Sequence, residues 1–363
     1  MPSMTKSKVL ISGASVAGPA LAHYLRRDGY EVTVVERAPG LRDSGYAVDF
    51  RGAAFEVLAE LGVLDEVREH DTRMGGTTLV DEAGAEVGEL PAATFAGELE
   101  VPKRELTRIL HRLTAADVEY VFDDSISALG EDDAGVAVTF ERAAPRRFDL
   151  VIGADGVHSM VRRLAFDAPA DAVRHLGMSG AGFSTANRLG LDRRGVLRLT
   201  EGTATYAFSA GDPDRMVVSL SFASASAELD RRGRDVQERA VREAFAGHGW
   251  EVPRLLAEMA AADDFAFSSA CQIHLDGWSR GRIALVGDAG YCAAPTSGMG
   301  TSQALIGARS LARQLAAAAG DHRTAFPAYE AEVRPYVAEN QAKGRDGAAM
   351  FGGGGERAGD GTA

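Results

Sequence analysis

Apolar and polar positions along this chain fall into two regimes. Near the start, Val9, Leu10 and Ile11 form a continuous apolar run, as expected of a short strand covered on both faces. From 16 to 28 the positions Ala20, Leu21, Tyr24 and Leu25 recur at helical spacing, and Arg26, Arg27 and Asp28 precede a stop at Gly29. The run EVTVVE at 31–36 predicts a second strand, so the chain opens with a βαβ unit. Helices are predicted at 53–61 and, after Pro102, at 103–115, with short strands near 118–122, 135–141 and 148–152. Between 170 and 276 the pattern changes. The runs 195–200, 204–210 and 215–223 are separated by Gly, Asp and Pro turns, and 265–275 closes the series, which predicts antiparallel sheet interrupted by helices at 235–247 and 253–262. The buried run Ile283, Ala284, Leu285 and Val286 then restores the parallel pattern, and helices follow at 299–319 and 323–343.

The expected fold class is α/β (α+β overall). A Rossmann-like nucleotide-binding domain, 1–169 with 277–345, is split by a mostly antiparallel β domain at 170–276 and completed by C-terminal helices. The Gly-rich segment 346–363 reads as a disordered tail. A length of 363 residues suits about two domains. The net charge of -13 argues against nucleic acid and against an anionic membrane surface as partners. The helix at 299–319 carries Arg309 and Arg313, so it does not read as a membrane span, and the N-terminal apolar run is too short for a signal sequence. Cys271 and Cys292 have neither disulfide nor metal spacing and read as buried free thiols in a reducing cytoplasm. No metal site is expected, and a monomer or weak homodimer is.

Three segments carry candidate chemistry. In GASVAG (13–18), Gly13 suits a tight turn and Gly18 close helix–strand packing, while Ser15 takes the place of the middle glycine. Glu36 follows at the end of the second strand, where an acid binds ribose hydroxyls and disfavours a 2′-phosphate; this suits the adenosine half of FAD or NAD rather than NADP. In GADGVHSMVR (153–162) an acid at a strand end precedes a helix with Ser159 and Arg162 on one face; the same pattern also describes a helix start capped by Asp155. In VGDAGYCAAPTSGMGTSQAL (286–305) Asp288 sits at a strand end, glycines and Pro295 shape a loop, and an apolar helix begins near Met299. That order suits a sugar–phosphate cofactor at a helix N-terminus.

Together these segments resemble the single-component FAD-dependent aromatic hydroxylases of the para-hydroxybenzoate hydroxylase type, over nearly the whole chain. The resemblance implies cofactor contacts at Gly13, Ser15, Val16, Ala17, Gly18, Glu36, Arg37, Arg51, Arg104, Asp155, Gly156, Arg162, Gly287, Asp288, Pro295, Gly298, Met299, Gly300 and Thr301. Within that set Asp155-Gly156 with Arg162 would also dock the nicotinamide, Asp288 would meet the ribityl chain, and the Pro295 loop would lie along the flavin ring. Arg51 would belong to a mobile loop near the flavin, although a solvated charge at a helix start explains it equally. The implied activity is NAD(P)H- and O2-dependent hydroxylation through a C4a-hydroperoxyflavin, with FAD bound and NADPH or NADH transient. The implied substrate is an aromatic or polyketide-like phenol or enol, in antibiotic tailoring or inactivation.

Tyr291 and Ser302 depart from the commoner His and Asn of that family, and together with GYAVDFRG (45–52) they are most similar to tetracycline-inactivating and polyketide-tailoring members. No second Gly-rich fingerprint is present, which fits a nicotinamide that docks transiently. Trp250 and Trp278 are too far apart for a halogenase W-x-W-x-I-P segment. No catalytic base is assigned: His111, His158, His175, His248 and His274 are scattered, and oxygen transfer needs no protein nucleophile. Tyr206, Phe208, Met216, Phe222 and Phe267 would line either a pocket or ordinary core. A flavin reductase or dehydrogenase on the same fold, and a flavoprotein that only binds, are the competing readings.

Overall fold

The computed structural model describes residues 7–41, 46–167 and 172–350. Gly45, the expected boundary at 169/170 and positions 351–363 of the expected tail lie outside the described residues. The chain opens with β1 (Lys8–Ser12), α1 (Ala17–Arg27) and β2 (Glu31–Glu36). Helix α1 ends as its sequence suggests: Gly29 takes φ +92°, and Tyr30 N–H donates to Leu25 O at 3.0 Å. There follow β3 (Ala47–Phe50), α2 (Ala54–Glu60), α3 (Leu64–Glu69), β4 (Thr77–Val80), β5 (Glu86–Leu90), β6 (Leu99–Pro102), α4 (Lys103–Thr114) and β7 (Glu119–Phe122). A meander of β8 (Ile126–Asp132), β9 (Gly135–Phe140) and β10 (Arg146–Phe148) leads into β11 (Leu150–Gly153) and α5 (Met160–Ala165). The insert comprises β12 (Val173–Ala186), β13 (Arg194–Thr200), β14 (Thr203–Ser209), β15 (Arg215–Ala223), α6 (Arg234–Ala244), α7 (Val252–Ala261) and β16 (Ala266–Ile273). The chain closes with β17 (Ser279–Arg280), β18 (Ile283–Leu285), α8 (Asp288–Tyr291), α9 (Gly300–Ala317) and α10 (His322–Met350).

Among the described residues the first sheet runs β17-β18-β11-β1-β2-β7, parallel except for β17. It is covered on both faces, which is why its strands read as unbroken apolar runs. Val9, Ile11, Val34, Ile152 and Ala284 join the core built by α1, α4, α9 and α10, while Leu10, Val35, Val151, Ile283 and Leu285 face the β8–β10 meander and α5. The segment expected as one strand at 148–152 is two, in different sheets. Asp149 marks the corner, with its carboxylate accepting Lys8 N–H at 2.7 Å.

The second sheet runs β16-β12-β15-β14-β13-β4-β5, antiparallel except where β13 meets β4. It therefore takes two strands from before residue 91, outside the 170–276 segment. One face packs on α6 and α7 through Phe183, Met216, Val218, Leu220, Val241, Leu255 and Met259. A separate ribbon, β3 with β6, lies between the two sheets in the chain's path.

Helix α10 continues to Met350, past the position where the tail was expected to begin. Its late glycines are close-packing sites: a Cβ on Gly344 would overlap Ala293 O and one on Gly347 would overlap Thr296 O. The Thr296 hydroxyl donates to Gly344 O at 2.6 Å. Ala348 adds apolar contact with Met178 and Ala270 of the second sheet.

Candidate active site

The three glycine-bearing segments lie at the carboxyl ends of neighbouring parallel strands, β1, β11 and β18, with β2 alongside. Ligands of open α/β sheets bind in that crevice. The glycines there are set by contact. Gly13 has φ +110° and a Cβ on it would overlap Ala154 O, while a Cβ on Gly18 would overlap Gly13 O. Val286 N–H donates to Gly153 O at 2.8 Å and Ala154 N–H to Ser12 O at 2.7 Å, so the three turns are stitched to one another.

Gly287 takes φ 65° and ψ -144°, a region essentially restricted to glycine. Its missing side chain faces Ala17 of α1 and Ala304 of α9, where a Cβ would stand 3.4 and 3.5 Å away. The first turns of α1 and α9 thus meet at one residue. Among the described residues neither helix has a side-chain cap, and neither carries an acid in its first turn. Two N-termini with free backbone donors and no competing carboxylate form a strongly anion-favouring edge. Glu36 marks the crevice's other side. Its carboxylate accepts Ala14 N–H and Ala38 N–H, each at 3.0 Å, which locks it against the fingerprint turn. Ser15 is half-exposed at the tip of that turn, Val16 and Ala17 are buried, and Arg37 is exposed.

The Asp155 segment serves the protein itself. The Asp155 carboxylate accepts the Ser159 hydroxyl at 2.5 Å and the Met160 and Val161 N–H groups at 2.7 and 3.2 Å, while Ser159 caps α5. Arg162 is 5% exposed and donates to Ala289 O at 2.6 Å and to Val157 O. Burial holds its pKa below the ordinary arginine value. This guanidinium clamps the loop after β11 onto α8. Gly156 has φ +80°, and among the described residues nothing lies within 4 Å of its Cβ position, so it faces open space.

After β18, Asp288 opens α8. Burial pushes its carboxyl above the ordinary range, opposed by the Lys103 charge and by a hydrogen bond from the Cys292 thiol. The loop that follows is strained and self-supported. Ala294 holds φ 74° and ψ 152°, Gly298 is left-handed, the Ser297 hydroxyl donates to Ala294 O at 2.8 Å, and Met299 N–H donates to Ser297 Oγ at 3.1 Å. Pro295 starts the short turn and Thr301 lies in the first turn of α9. Gly300 is open: a Cβ there would meet only Asp288 Oδ1, at 3.9 Å, among the described residues.

Arg51 lies between the ribbon and α9. Its N–H donates to Ser302 Oγ at 3.3 Å, its Nη2 donates to Ala96 O at 3.3 Å, and its guanidinium pairs with Asp49 at 3.7 Å. Its Nε is buried without a partner among the described residues. Arg104 stands at the start of α4 and pairs with Glu105 at 3.1 Å. Sequence reasoning passed over Lys103, whose Nζ donates to Tyr46 Oη at 2.6 Å while its charge acts on Asp288; its place beside Arg104 was the available signal. Asp49 and Glu100 were also passed over, because only strand pairing makes them neighbours.

The departures at 291 and 302 have internal explanations. Tyr291 is fully buried, with its ring centroid 4.3 Å from Trp278 and its hydroxyl 2.8 Å from that of Tyr329. Ser302 is also fully buried. Tyr291 is therefore part of the core. In the insert, Met216 and Phe222 belong to the core under α6 and α7, with Phe267 packed against it. Tyr206 and Phe208 face the other way and form a stacked row with Phe95, with centroids 5.0 Å (Phe95–Tyr206) and 5.3 Å (Tyr206–Phe208) apart. Beside that row the sheet presents Gly182 and Ser219, which are paired with each other, and Ser219 lies opposite Tyr206.

Comparison with known proteins accords with this geometry. A family model described as an FAD binding domain matches residues 6–342. The chain belongs to this FAD-binding family. Among relatives, a flavin-dependent monooxygenase from an unknown prokaryotic organism is 38% identical over 341 residues, covering 93% of this chain and 88% of that one. An uncharacterized protein of Mycobacterium tuberculosis is 44% identical over 339 residues, covering 92% and 91%. The crystal structure of a tetracycline destructase superposes with a TM-score of 0.87 at 36% identity, covering 95% of this chain and 90% of that one. This member of the family is a flavoprotein monooxygenase, with FAD as its cofactor and the expected α/β architecture.

Proposed function

We propose that this monooxygenase hydroxylates an aromatic or polyketide-like phenol or enol, using NADPH or NADH and O2, in the inactivation or tailoring of an antibiotic-like molecule. The observation that carries the proposal is the approach of two surfaces. The β3–β6 ribbon lies between the Gly298 loop of the nucleotide crevice and the Phe95–Tyr206–Phe208 row, with Asp49 Oδ2 3.5 Å from the Cβ position of Gly298 and acting electrostatically on Tyr206. A flat, electron-rich ring has an aromatic wall there. The likeness to a tetracycline destructase supports a polycyclic substrate.

The residues of the crevice suit FAD. The uncapped first turns of α1 and α9 would receive the pyrophosphate and the electron-rich end of the flavin, respectively. Glu36 would hold the adenosine ribose, Asp288 and Lys103 would flank the ribityl chain, and the open positions at Gly156 and Gly300 leave room for close approach. When bound, FAD supplies hydride uptake from the nicotinamide and activation of O2. The protein's part is to orient the ring against the substrate, favour negative charge at the start of α9, and keep water from the reacting centre.

The test is a purified, yellow protein with a flavin spectrum. NADPH or NADH oxidation should rise when tetracycline or a simpler polyphenol is added, and the product should gain one oxygen by mass. Substrate-stimulated oxidation without oxygen insertion would favour a reductase. Flavin without stimulated oxidation would favour a binding protein. A colourless protein would remove the basis of the proposal.

A further inference from the structure

Strands β3 and β6 place Asp49 directly opposite Glu100. Like charges at that position repel across a few ångströms, so two ionised carboxylates are disfavoured there. Their mutual interaction favours the proton on Glu100 and the charge on Asp49. The pair is held from outside as well. The Thr72 hydroxyl donates to Glu100 Oε1 at 2.7 Å, Gly97 N–H donates to Asp49, and Arg51 pairs with Asp49 at 3.7 Å. The other charged group that acts on the pair is Asp71, toward Glu100, and both carboxyls help raise the pKa of the neutral Tyr206 phenol. Arg193 closes the rear by donating to Thr72 O.

The position of the pair is informative. Asp49 Oδ2 lies 3.5 Å from where a Cβ would stand on Gly298, in the loop expected along the flavin. The Tyr206 phenol, in the aromatic row, is within electrostatic reach of both carboxyls. The Asp49 side chain is 11% exposed, so it is largely desolvated but not sealed off. We propose that Asp49 and Glu100 together are the proton acceptor for the acidic hydroxyl of the substrate. This rests on the phenol or enol reading given above. In the step, the substrate O–H bond breaks, its electron pair stays on the substrate oxygen, and the proton joins the Glu100 carboxylate beside the ionised Asp49. The pair passes from two negative charges to one, and the substrate from neutral to anionic. The anion pushes electron density onto the ring carbon that receives oxygen. Burial and mutual repulsion support the role by holding Glu100 up to about 7, close to working pH, where a general base is most effective.

The test uses the flavin-loaded protein and two readouts. Infrared spectra between about pH 5 and pH 9 should show a protonated carboxyl that ionises near neutrality in the wild type, is missing from E100Q and ionises at lower pH in D49N. With tetracycline as probe, wild-type kcat should rise with pH through the same midpoint. E100Q should lose that limb and drop kcat by about tenfold or more with KM within about threefold, and E100D should recover the limb. If no such carboxyl is seen, the proton on Glu100 is refuted. A wild-type pH limb that survives in E100Q overturns the proton-acceptor role and leaves the monooxygenase reading standing. A wild type that oxidises NADPH but oxygenates neither tetracycline nor resorcinol overturns the substrate reading and this role with it.

Discussion

The hydroxyls of Tyr291 and Tyr329 lie 2.8 Å apart, with Tyr329 Oη also 3.0 Å from Leu285 O, in a space that Gly307 of α9 leaves open. A Cβ on Gly307 would overlap Tyr291 Oη. This buried pair ties α8, α9 and α10 to the end of β18, directly behind Asp288. Gly307→Ala is expected to cost about 1–3 kcal/mol through overpacking, read as a lower Tm with reduced flavin content. Tyr291→Phe should cost about 1 kcal/mol and leave the order of preference among phenolic substrates unchanged. A changed preference would return Tyr291 to the substrate site.

Gly300 separates cofactor binding from folding. Its Cβ position meets only Asp288 Oδ1, at 3.9 Å, among the described residues, and its φ is not in the left-handed region. Alanine there should leave the flavin-free protein as stable or more stable by up to about 1 kcal/mol, as in other helix positions. Flavin affinity should fall about tenfold or more, and Gly300→Val should fall further. Titration of the flavin-free protein with FAD, set beside its thermal unfolding, reads both. Unchanged affinity in both variants would count against a flavin at the start of α9.

Arg162 is a clamp whose loss should be felt without cofactor. Its guanidinium is buried and donates to two carbonyls, those of Ala289 and Val157. Arg162→Met leaves those acceptors unpaired and should destabilise the flavin-free protein by about 2–4 kcal/mol. Arg162→Lys should not restore it, because a single ammonium cannot span both carbonyls in the same fork geometry. Equal unfolding midpoints for wild type and variant, with only flavin loss, would instead assign Arg162 to the cofactor.

Glu100 gives stability a pH dependence of definite sign. Its folded pKa is raised from 4.5 to about 7, chiefly by burial. In that window the folded protein holds a proton that the unfolded chain has released. Its contribution is therefore full at acid pH and is lost as pH rises through the folded value. E100Q keeps a donor for Asp49 without acquiring charge. The variant and wild type should unfold alike near pH 4.5 once acid effects common to both are subtracted. Above about pH 8 the variant should be the more stable, by on the order of 2 kcal/mol after allowance for partial solvent screening. Parallel curves of Tm against pH would refute the shift.

The βαβ opening, the fingerprint Gly13 and Gly18, the acid at Glu36, the Asp288 loop and the antiparallel character of the insert were all legible in the chain. Each is a local pattern in which strand, turn and helix follow within a few residues, and steric demands on a tight turn leave glycine as the residue that fits. The sequence by itself also determined which strands are buried on both faces, because continuous apolar runs have no solvent-facing side.

The tertiary structure decided everything that depends on pairing between distant segments. Nothing local assigns β4 and β5 to the insert's sheet, since their patterns are short and half-exposed and only the ladder from Thr77 to Gly195 sets their place. The Gly-rich segment from 346 reads as a tail from composition, yet Gly344 and Gly347 are where α10 comes down on the Ala293 and Thr296 carbonyls. Asp155 and Arg162 read as cofactor contacts or as a capped helix, and the carbonyls and N–H groups around them engage both in holding the protein together. Asp49 and Glu100 are unremarkable as letters. Only the register of β3 on β6 sets them opposite each other, because desolvation and like-charge repulsion exist between atoms in space and not between positions in a chain.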